Sequence, residues 1–455
     1  MLDKFDRYML SVIGVIILML GGLLVYGDQV GVHVIDTVPS DGATIGVATD
    51  IRITFDQAVD RESAQERFQL QPAIQGEFRW RGASTLIFRP DAPLQPNQRY
   101  EVRIEEGIRS ITGRIMDEPF RFSFTTQPLS ATVYYLTPAE ASRQGLWAIN
   151  PDGSDPRPIF TPEFGIFSYA PSPDGTQLAV TVLTENAASA DIWLINADGN
   201  NVQQLTDCAP GVCGQAAWSP NRDLLAYAKQ TVNEFGSLSP ARVWLWDLAT
   251  NETAPVFEDN QVLGFYPIWS PNGKILSFYD SNATAIRLIE LDSGTVRLIE
   301  TQLPERWSFS PFGDMLAYSD LRSNEGWYYP QLVWINLIGQ PQRTPILENP
   351  EQDQEPIYSP DGQWIVFRRR LVDGGNNGSQ LMLYNIVDKS LREITTDPDY
   401  TNSNVQWSPD STRIIFQRYQ LRTAEFIPEI WLYDINTEAL QLLVSNATGA
   451  QWSNN

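Results

Sequence analysis

The sequence predicts an all-β protein with a seven-bladed β-propeller, a smaller β-sandwich before it and one transmembrane helix at the N-terminus. Three observations support this prediction. A turn motif followed by an alternating apolar run recurs along most of the chain, a second apolar strand recurs in step with it, and one early stretch of 20 residues has no charge. Repeats that each supply several short strands are typical of propeller blades.

The uncharged stretch runs from Tyr8 to Gly27. A helix of that length spans about 30 Å, the thickness of the hydrocarbon core of a bilayer. Lys4 and Arg7 precede it, and the next Lys or Arg is Arg52. The positive-inside rule therefore predicts a cytoplasmic N-terminus of residues 1–7, an anchor at residues 8–27, and export of the rest as a single-pass protein of the cell membrane. A cleaved signal peptide is the alternative, but no small-x-small cleavage site follows the apolar core.

The charge and the cysteine content indicate which partners and which metal sites to expect. With 32 Lys and Arg against 55 Asp and Glu, the net charge is −23, so we expect no nucleic-acid partner. The only cysteines, Cys208 and Cys213, flank a turn-forming Pro-Gly, which favours a local disulfide over two free thiols. The only histidine is His33, far from both cysteines, so we expect no metal site.

Residues 34–127 form short alternating runs separated by turn residues, a pattern typical of a β-sandwich. The clearest runs are Ile51–Phe55, Thr85–Arg89, Tyr100–Ile104 and Phe120–Thr125.

Several stretches of this region, from Val38–Gly42 and Ile53–Asp60 to Phe122–Thr126, resemble the bacterial Ig-like domains of surface and envelope proteins. The resemblance implies a spacer or adhesive module, and it transfers no catalytic residue.

The repeated turn is clearest at Tyr358–Gly362, where an aromatic residue leads into Ser-Pro-Asp-Gly. Pro presets φ for a turn and Gly accepts a positive φ. An alternating apolar run, Gln363–Phe367, follows with the period of a strand. Successive serines of this motif are 40 to 51 residues apart, the length of a four-stranded blade, and they are Ser172, Ser219, Ser270, Ser310, Ser359, Ser408 and Ser453.

A second series of apolar runs gives seven copies, from Leu146–Asn150 to Ile430–Asp434. The first blade begins at Val133–Leu136 without a Ser-Pro strand of its own, and we expect the last residues, Gly449–Ser453, to supply it. Closing the ring in this way removes the open edges of a linear array. The count therefore predicts seven blades, with six as the alternative.

These motifs resemble the TolB-like propeller family over residues 131–455. The motif departs from the family pattern at Asn221-Arg222, Phe312 and Ser411, where we expect distorted or longer turns. The family contains periplasmic scaffold proteins and the non-catalytic halves of prolyl-oligopeptidase-type enzymes, so the resemblance implies binding without naming a ligand.

No set of catalytic, cofactor-binding or metal-binding residues is expected. The single histidine lies outside the propeller, which excludes a Ser-His-Asp or Cys-His arrangement there. Asp174, Asp361 and Asp410 belong to the repeated turns, and we assign them to the turns. The protein is therefore expected not to be an enzyme.

Trp327, Tyr328 and Tyr329 lie outside the repeat register, in what we predict to be an interstrand loop, and they are the preferred contact patch. Phe164, Phe167 and Phe235 are further candidates. We expect a membrane-anchored, extracytoplasmic binding or scaffold protein whose propeller contacts a protein, peptide or glycan of the cell envelope.

Two other functions remain open. One is an enzyme, either a propeller-type hydrolase or lyase using carboxylates of the central channel, or the non-catalytic half of a prolyl-oligopeptidase-like peptidase. The other is a mainly structural envelope protein.

Overall fold

A computed structural model describes residues 31–45, 50–90, 94–95, 98–126, 132–140, 143–185, 188–220, 224–324, 326–339, 341–348, 351–370, 378–423 and 427–453. These residues form two compact units, one with the strands up to Thr126 and one with the strands from Val133 onward.

The first unit consists of two four-stranded sheets with one core between them. One sheet has the order β1-β3-β6-β5, from β1 (Val34–Val38), β3 (Ile51–Phe55), β5 (Gly76–Arg81) and β6 (Thr85–Pro90). The other has the order β2-β8-β7-β4, from β2 (Thr44–Ile45), β4 (Phe68–Gln71), β7 (Arg99–Ile104) and β8 (Phe120–Thr126). A short helix, α1 (Arg61–Glu66), begins at Asp60, whose carboxylate accepts a hydrogen bond from the Ser63 backbone N–H at 2.8 Å.

The described residues of the second unit form six sheets, five with four strands and one with eight. The eight-stranded sheet consists of two four-stranded antiparallel groups joined by one parallel pair, Ala190 opposite Val212. We number the resulting seven four-stranded groups in chain order and call each of them a sheet. Sheet 1 contains β9 (Val133–Thr137), β10 (Gly145–Ile149), β11 (Arg157–Phe160) and β36 (Thr448–Trp452). Sheet 2 contains β12 (Ile166–Pro171), β13 (Gln177–Leu183), β14 (Ala190–Asn196) and β15 (Gln203–Gln204). Sheet 3 contains β16 (Val212–Trp218), β17 (Leu224–Gln230), β18 (Arg242–Asp247) and β19 (Glu252–Pro255). Sheet 4 contains β20 (Gly264–Trp269), β21 (Ile275–Asp280), β22 (Ala285–Glu290) and β23 (Thr295–Glu300).

The last three sheets repeat the same order. Sheet 5 contains β24 (Ser308–Phe309), β25 (Met315–Asn324), β26 (Trp327–Asn336) and β27 (Arg343–Pro345). Sheet 6 contains β28 (Gln352–Tyr358), β29 (Trp364–Arg370), β30 (Ser379–Asn385) and β31 (Leu391–Glu393). Sheet 7 contains β32 (Tyr400–Trp407), β33 (Arg413–Gln420), β34 (Glu429–Asp434) and β35 (Leu440–Ser445).

Hydrophobic clusters join each sheet to the next, as in a β-propeller. One further cluster joins sheet 7 to sheet 1 and contains Ile415, Val133 and Trp452. In sheet 1 the C-terminal strand β36 pairs with β9, so that Trp452 lies opposite Val133. The chain therefore closes on itself by the pairing that the sequence predicts.

The serine of the repeated turn is part of the turn structure. In sheet 6 the Ser359 hydroxyl donates to the Asp361 carboxylate and accepts from the Trp364 backbone N–H at 2.9 Å. The same pair of bonds holds Ser172 and Ser408 with their aspartates. The three turn aspartates that we assigned to this role are thus bound within their turns.

The expected distortion at Phe312 and Ser411 was wrong. Beside Phe312, the Ser310 hydroxyl donates to Asp314 instead of to the residue two positions on. Ser411 adopts the positive φ, 60°, that glycine has in the equivalent turns, and it keeps the backbone bond to the Ser408 carbonyl at 3.0 Å. The turns tolerate these substitutions because another carboxylate is in reach and the backbone supplies the remaining bond. Asn221 and Arg222 lie outside the described residues.

Within the described part of the chain, no helix is long and apolar enough to cross a membrane. The predicted cytoplasmic N-terminus (residues 1–7) and anchor (residues 8–27) lie outside the described residues.

Candidate functional site

The first strand of each sheet, with β36 as the equivalent strand of sheet 1, lies next to the first strand of at least one neighbouring sheet, and we call these the inner strands. Neighbouring strands within a sheet are antiparallel. The start of each inner strand and the connection between the second and third strands therefore lie at the same end of the sheet, which we call the hairpin end.

A left-handed residue recurs four positions before the turn serine in five of the inner strands: Gln215, Tyr266, Glu355, Asn404 and Gly449 all have φ between 48° and 63°. At each of these positions the pairing with the second strand shifts, so that two residues of the inner strand lie opposite one. This is a β-bulge, which leaves the extra residue unpaired with its own sheet.

In two of the bulges the backbone N–H binds the neighbouring sheet instead. Tyr266 donates its backbone N–H to the Gln215 amide oxygen at 3.0 Å, and Glu355 donates to the Ser319 hydroxyl at 3.0 Å. Non-glycine residues in the left-handed region cost about 1 kcal/mol or more, and such residues cluster at functional sites. The bulges therefore mark the inner strands near the hairpin end as a candidate binding surface.

Polar side chains of sheets 5 and 6 meet at this level of the inner strands. Arg368 donates to the Glu355 carboxylate at 2.8 Å, and the Gln354 amide donates to one carboxylate oxygen of Glu305. Both members of the Arg368–Glu355 pair are mostly shielded from solvent. A buried ion pair that keeps its hydrogen bonds fixes the positions of both side chains.

Glu305 has unused hydrogen-bonding capacity. Its Oε2 atom is buried and bonds to none of the described residues. Burial raises the pKa of the Glu305 carboxyl and the nearby Glu355 carboxylate raises it further, while the Ser319 hydroxyl, the Arg368 charge and the Gln354 amide lower it. A carboxyl with a raised pKa and a spare oxygen can accept a hydrogen bond when ionised or donate one when protonated.

The neighbouring Arg306 provides a cation at the same place. As a residue it is exposed, but it lies deep enough among the inner strands for desolvation to lower the pKa of its guanidinium, an effect that Glu355 opposes. With the Gln406 amide oriented to present its oxygen, Arg306 donates to it from both terminal nitrogens, at 2.8 and 3.2 Å. We call these side chains the polar set: Glu305, Arg306, Gln354, Glu355 and Arg368. The polar set can hold a polar group through the Glu305 carboxyl and the Arg306 guanidinium.

The predicted contact patch lies in a strand, so its placement in a loop was wrong. Trp327, Tyr328 and Tyr329 begin β26, and the pairing of β25 with β26 continues to Asn324 opposite Trp327. Pro330 also belongs to β26, where its missing N–H is tolerated opposite Leu321 near the tip of the hairpin.

The resulting β25–β26 hairpin is longer than its equivalents, with ten residues in each strand. Its tip is exposed: Trp327 is 79% and Tyr328 is 71% accessible, whereas Tyr329 is half-buried. Glu305 and Arg306 lie just before β24, at the same end of sheet 5 as the tip. Ser319, which bonds to the Glu355 backbone N–H, marks the level of the polar side chains on β25. From Ser319 the strand continues for five residues to Asn324, a length of about 16 Å at 3.3 Å per residue.

The other candidate residues lie apart from the polar set. Cys208 and Cys213 are joined in a disulfide before and within β16, and the Asp191 carboxylate accepts the Cys208 backbone N–H at 2.7 Å. Phe167 and Phe235 are exposed, the latter in the β17–β18 connection, which also lies at the hairpin end. Phe164 is half-buried.

The sequence alone did not identify Glu305, Arg306 or Glu355. A signal was present, because counting four residues back from each turn serine selects the bulge position Glu355 and, in the sheet without a bulge there, Arg306. Across the described residues, no group of three or more His, Cys, Asp or Glu side chains is placed to hold a metal ion.

Residues 28–126 match the bacterial Ig-like domain family, in agreement with the predicted Ig-like sandwich. An uncharacterized protein of Agrobacterium fabrum is 28% identical over 155 residues, which are 33% of this chain and 49% of that protein. The match therefore spans about half of that relative.

Among solved structures, a prolyl endopeptidase superposes with a TM-score of 0.53 at 12% identity, covering 79% of this chain and 50% of that one. The TolB protein of Acinetobacter baumannii gives a TM-score of 0.41 at 13% identity, covering 85% of this chain and 83% of that one. The likeness to the endopeptidase bears on the fold alone.

Proposed function

We propose that this chain is a membrane-anchored, extracytoplasmic binding protein. In this proposal residues 1–7 are cytoplasmic, residues 8–27 span the cell membrane, and an Ig-like domain precedes a seven-bladed propeller in which each four-stranded sheet is one blade. The propeller binds a protein, peptide or glycan of the cell envelope at its hairpin end. The observation that carries the proposal is the coincidence, at one end of sheet 5, of an exposed aromatic hairpin and an incompletely bonded polar set.

The hairpin supplies the apolar part of the surface. Large exposed aromatic side chains on a rigid element are typical anchors of protein interfaces, because burying them gains much free energy at little cost in conformational entropy. Trp327 and Tyr328 meet this description. The pairing of β25 with β26 through Asn324 fixes the backbone that carries both side chains before a partner binds.

The polar set supplies specificity. Glu305 offers a buried oxygen without a hydrogen bond, and Arg306 offers a guanidinium. A partner that places a hydrogen-bonding group at Glu305 would remove the cost of leaving that atom unpaired, a cost of about 1–3 kcal/mol. A partner without such a group would be disfavoured.

A second candidate function rests on Glu305 itself. A carboxyl whose pKa is raised by burial beside a second carboxylate is a common general acid, so a hydrolase or lyase acting on a polar substrate is the alternative. The non-catalytic half of a prolyl-oligopeptidase-like peptidase is a variant of this alternative, in which a second chain supplies the catalytic residues.

Photocrosslinking in intact cells tests the proposal. A photoreactive amino acid replaces Tyr328 in one variant and Ile338 in the other. Ile338 is also exposed and lies in sheet 5, but after β26 and hence at the opposite end. We expect a discrete crosslinked envelope component from position 328 and none from position 338. Equal crosslinking from both positions, or none from position 328, would refute the proposed surface.

A further inference from the structure

A small apolar projection on the first unit has no partner in the described chain. Ile111 is 72% and Ile115 is 52% accessible, and both lie in the connection between β7 and β8. All other large apolar side chains of that connection, Ile108 and Met116, belong to the core. Two isoleucines are thus presented to the surroundings by a segment that otherwise packs inward.

The segment is held in one conformation by its own hydrogen bonds. Ser110 donates its backbone N–H to the Arg114 carbonyl at 2.7 Å, and Gly113 donates to the Ser110 carbonyl at 3.0 Å. Gly113 has φ 90°, which a residue with a side chain rarely adopts. The turn therefore holds Ile111 at its tip without a contribution from a partner.

The path of the chain places this turn close to the proposed anchor. The Val32 backbone N–H lies 3.4 Å from the Ile115 carbonyl, and the Gln57 amide donates to the Gly31 carbonyl at 3.0 Å. Gly31 is four residues after Gly27, where the uncharged stretch ends. Val32 is one residue further, and a chain of five residues reaches at most about 18 Å, so the Ile115 carbonyl lies within that distance, plus one hydrogen bond, of Gly27.

We propose that Ile111 and Ile115 insert into the membrane surface that surrounds the anchor, so that the Ig-like domain lies directly on the bilayer. The occupant of this surface is the phospholipid interface, and the inference rests on the anchor of the proposed function. The interfacial zone of a bilayer is several ångströms deep on each side, which suits two isoleucines at a turn.

The charges around the turn indicate an apolar contact and not an electrostatic one. Arg109 is exposed and Arg114 is half-buried, while Asp117 and Glu118 are exposed on the same segment, so two positive charges accompany two negative ones. Their opposite charges offset each other near the bilayer surface. We therefore expect the contact to be the same on neutral and on anionic bilayers and to be insensitive to salt.

Depth-dependent fluorescence quenching tests the proposal. Full-length protein is reconstituted into vesicles with a polarity-sensitive dye on Ile111→Cys, the native cysteines being held in their disulfide. Thr44→Cys is the matched control: it is exposed, and it lies in β2 beside Thr125, at the far end of β8 from the turn.

We expect blue-shifted emission from position 111 that loses most of its intensity to nitroxide-labelled lipid, and neither effect at position 44. Equal quenching at both positions would overturn the inference. A blue shift that disappears on dilution to one protein per vesicle would also overturn it, because the loss would show that a second copy of the protein covers the two isoleucines. Vesicle flotation separates the two proposals: a protein that does not float lacks the anchor, whereas one that floats without quenching at position 111 retains the anchor and refutes the contact.

Discussion

Thr132 and Ser453 are joined by two hydrogen bonds across 321 positions of sequence. The Thr132 backbone N–H donates to the Ser453 hydroxyl at 2.9 Å, and the Ser453 backbone N–H donates to the Thr132 carbonyl at 2.7 Å. They fasten the C-terminal strand to the first strand of sheet 1. The serine that caps a turn in the other sheets is used here to join the two ends of the second unit.

The closing strand should contribute strongly to stability. Trp452 is buried in the cluster between sheets 7 and 1, so Trp452→Ala should lower the free energy of unfolding by about 3–5 kcal/mol. Leu442→Ala, on the exposed strand β35, is the control and should change it by less than about 0.5 kcal/mol. Urea unfolding measures both, and equal midpoints for the two variants would contradict the closure.

The repeated tryptophans should also contribute through their indole N–H groups. Trp269 donates to the Ala217 carbonyl of the preceding sheet at 3.0 Å, whereas the indole nitrogen of Trp452 bonds to no described residue. Trp269→Phe should therefore cost about 1 kcal/mol more than Trp452→Phe, since both lose similar volume but only one loses a bond. Thermal or chemical unfolding of the pair would test this, and equal costs would show that the bond is not stabilising.

The buried Glu305 should make stability depend on pH. Because its pKa lies above the ordinary value of 4.5, folding takes up a proton between the unfolded and folded pKa values, and stability falls as the pH rises through that window. Glu305→Gln removes this loss, so the variant should gain stability relative to the wild type between about pH 4 and about pH 8.

Asp152 provides a control of opposite sign. Hydrogen bonds from Ser154 lower the pKa of the Asp152 carboxyl, so its contribution is present above the unfolded pKa and lost as the pH falls through the folded value. Asp152→Asn should lose stability relative to the wild type as the pH rises from about 2 to about 5, the range around the unfolded pKa of an aspartate. Urea midpoints across the two pH ranges decide the question; the same trend with rising pH in both variants would refute the assignment of Glu305.

The aromatic hairpin should act on binding and leave stability unchanged. Trp327 and Tyr328 are exposed, so Trp327→Ala and Tyr328→Ala should shift the free energy of unfolding by less than about 0.5 kcal/mol. Affinity for the crosslinked partner should fall about tenfold or more, as for an interface anchor worth at least about 1.4 kcal/mol. Unchanged affinity in both variants would remove the hairpin from the binding surface.

The sequence predicted those features that repeat. The Ser-Pro turn around Ser359 and the closing strand at Trp452 were both identified because each copy reinforces the others and because an unclosed ring would leave an edge. The Ig-like sandwich was predicted from its alternation and its turns, since one face of each strand is buried.

The features that the sequence did not predict depend on contacts between residues that are distant in sequence. Gln215, Tyr266, Glu355 and Asn404 share a backbone conformation but no side-chain chemistry, so no residue type marks them. The set around Glu305 assembles from different sheets, and no local pattern predicts such a meeting. Tyr328 was assigned to a loop because it lies outside the repeat register, although pairing with β25 keeps that segment in the sheet.

The strand order of sheet 1 has a consequence for how the protein is made. Its first strand is β9, and the strand that completes it is β36, the last strand among the described residues. A ribosome releases the N-terminal strands first, so sheet 1 keeps an unpaired edge along β9 until residue 452 has emerged. During that interval the nascent chain is an open arc with two exposed edges, and a second nascent copy could donate its own β36 in place of the missing one. Synthesis at low density, or a chaperone that covers β9, would favour the self-closed monomer over the strand-swapped dimer.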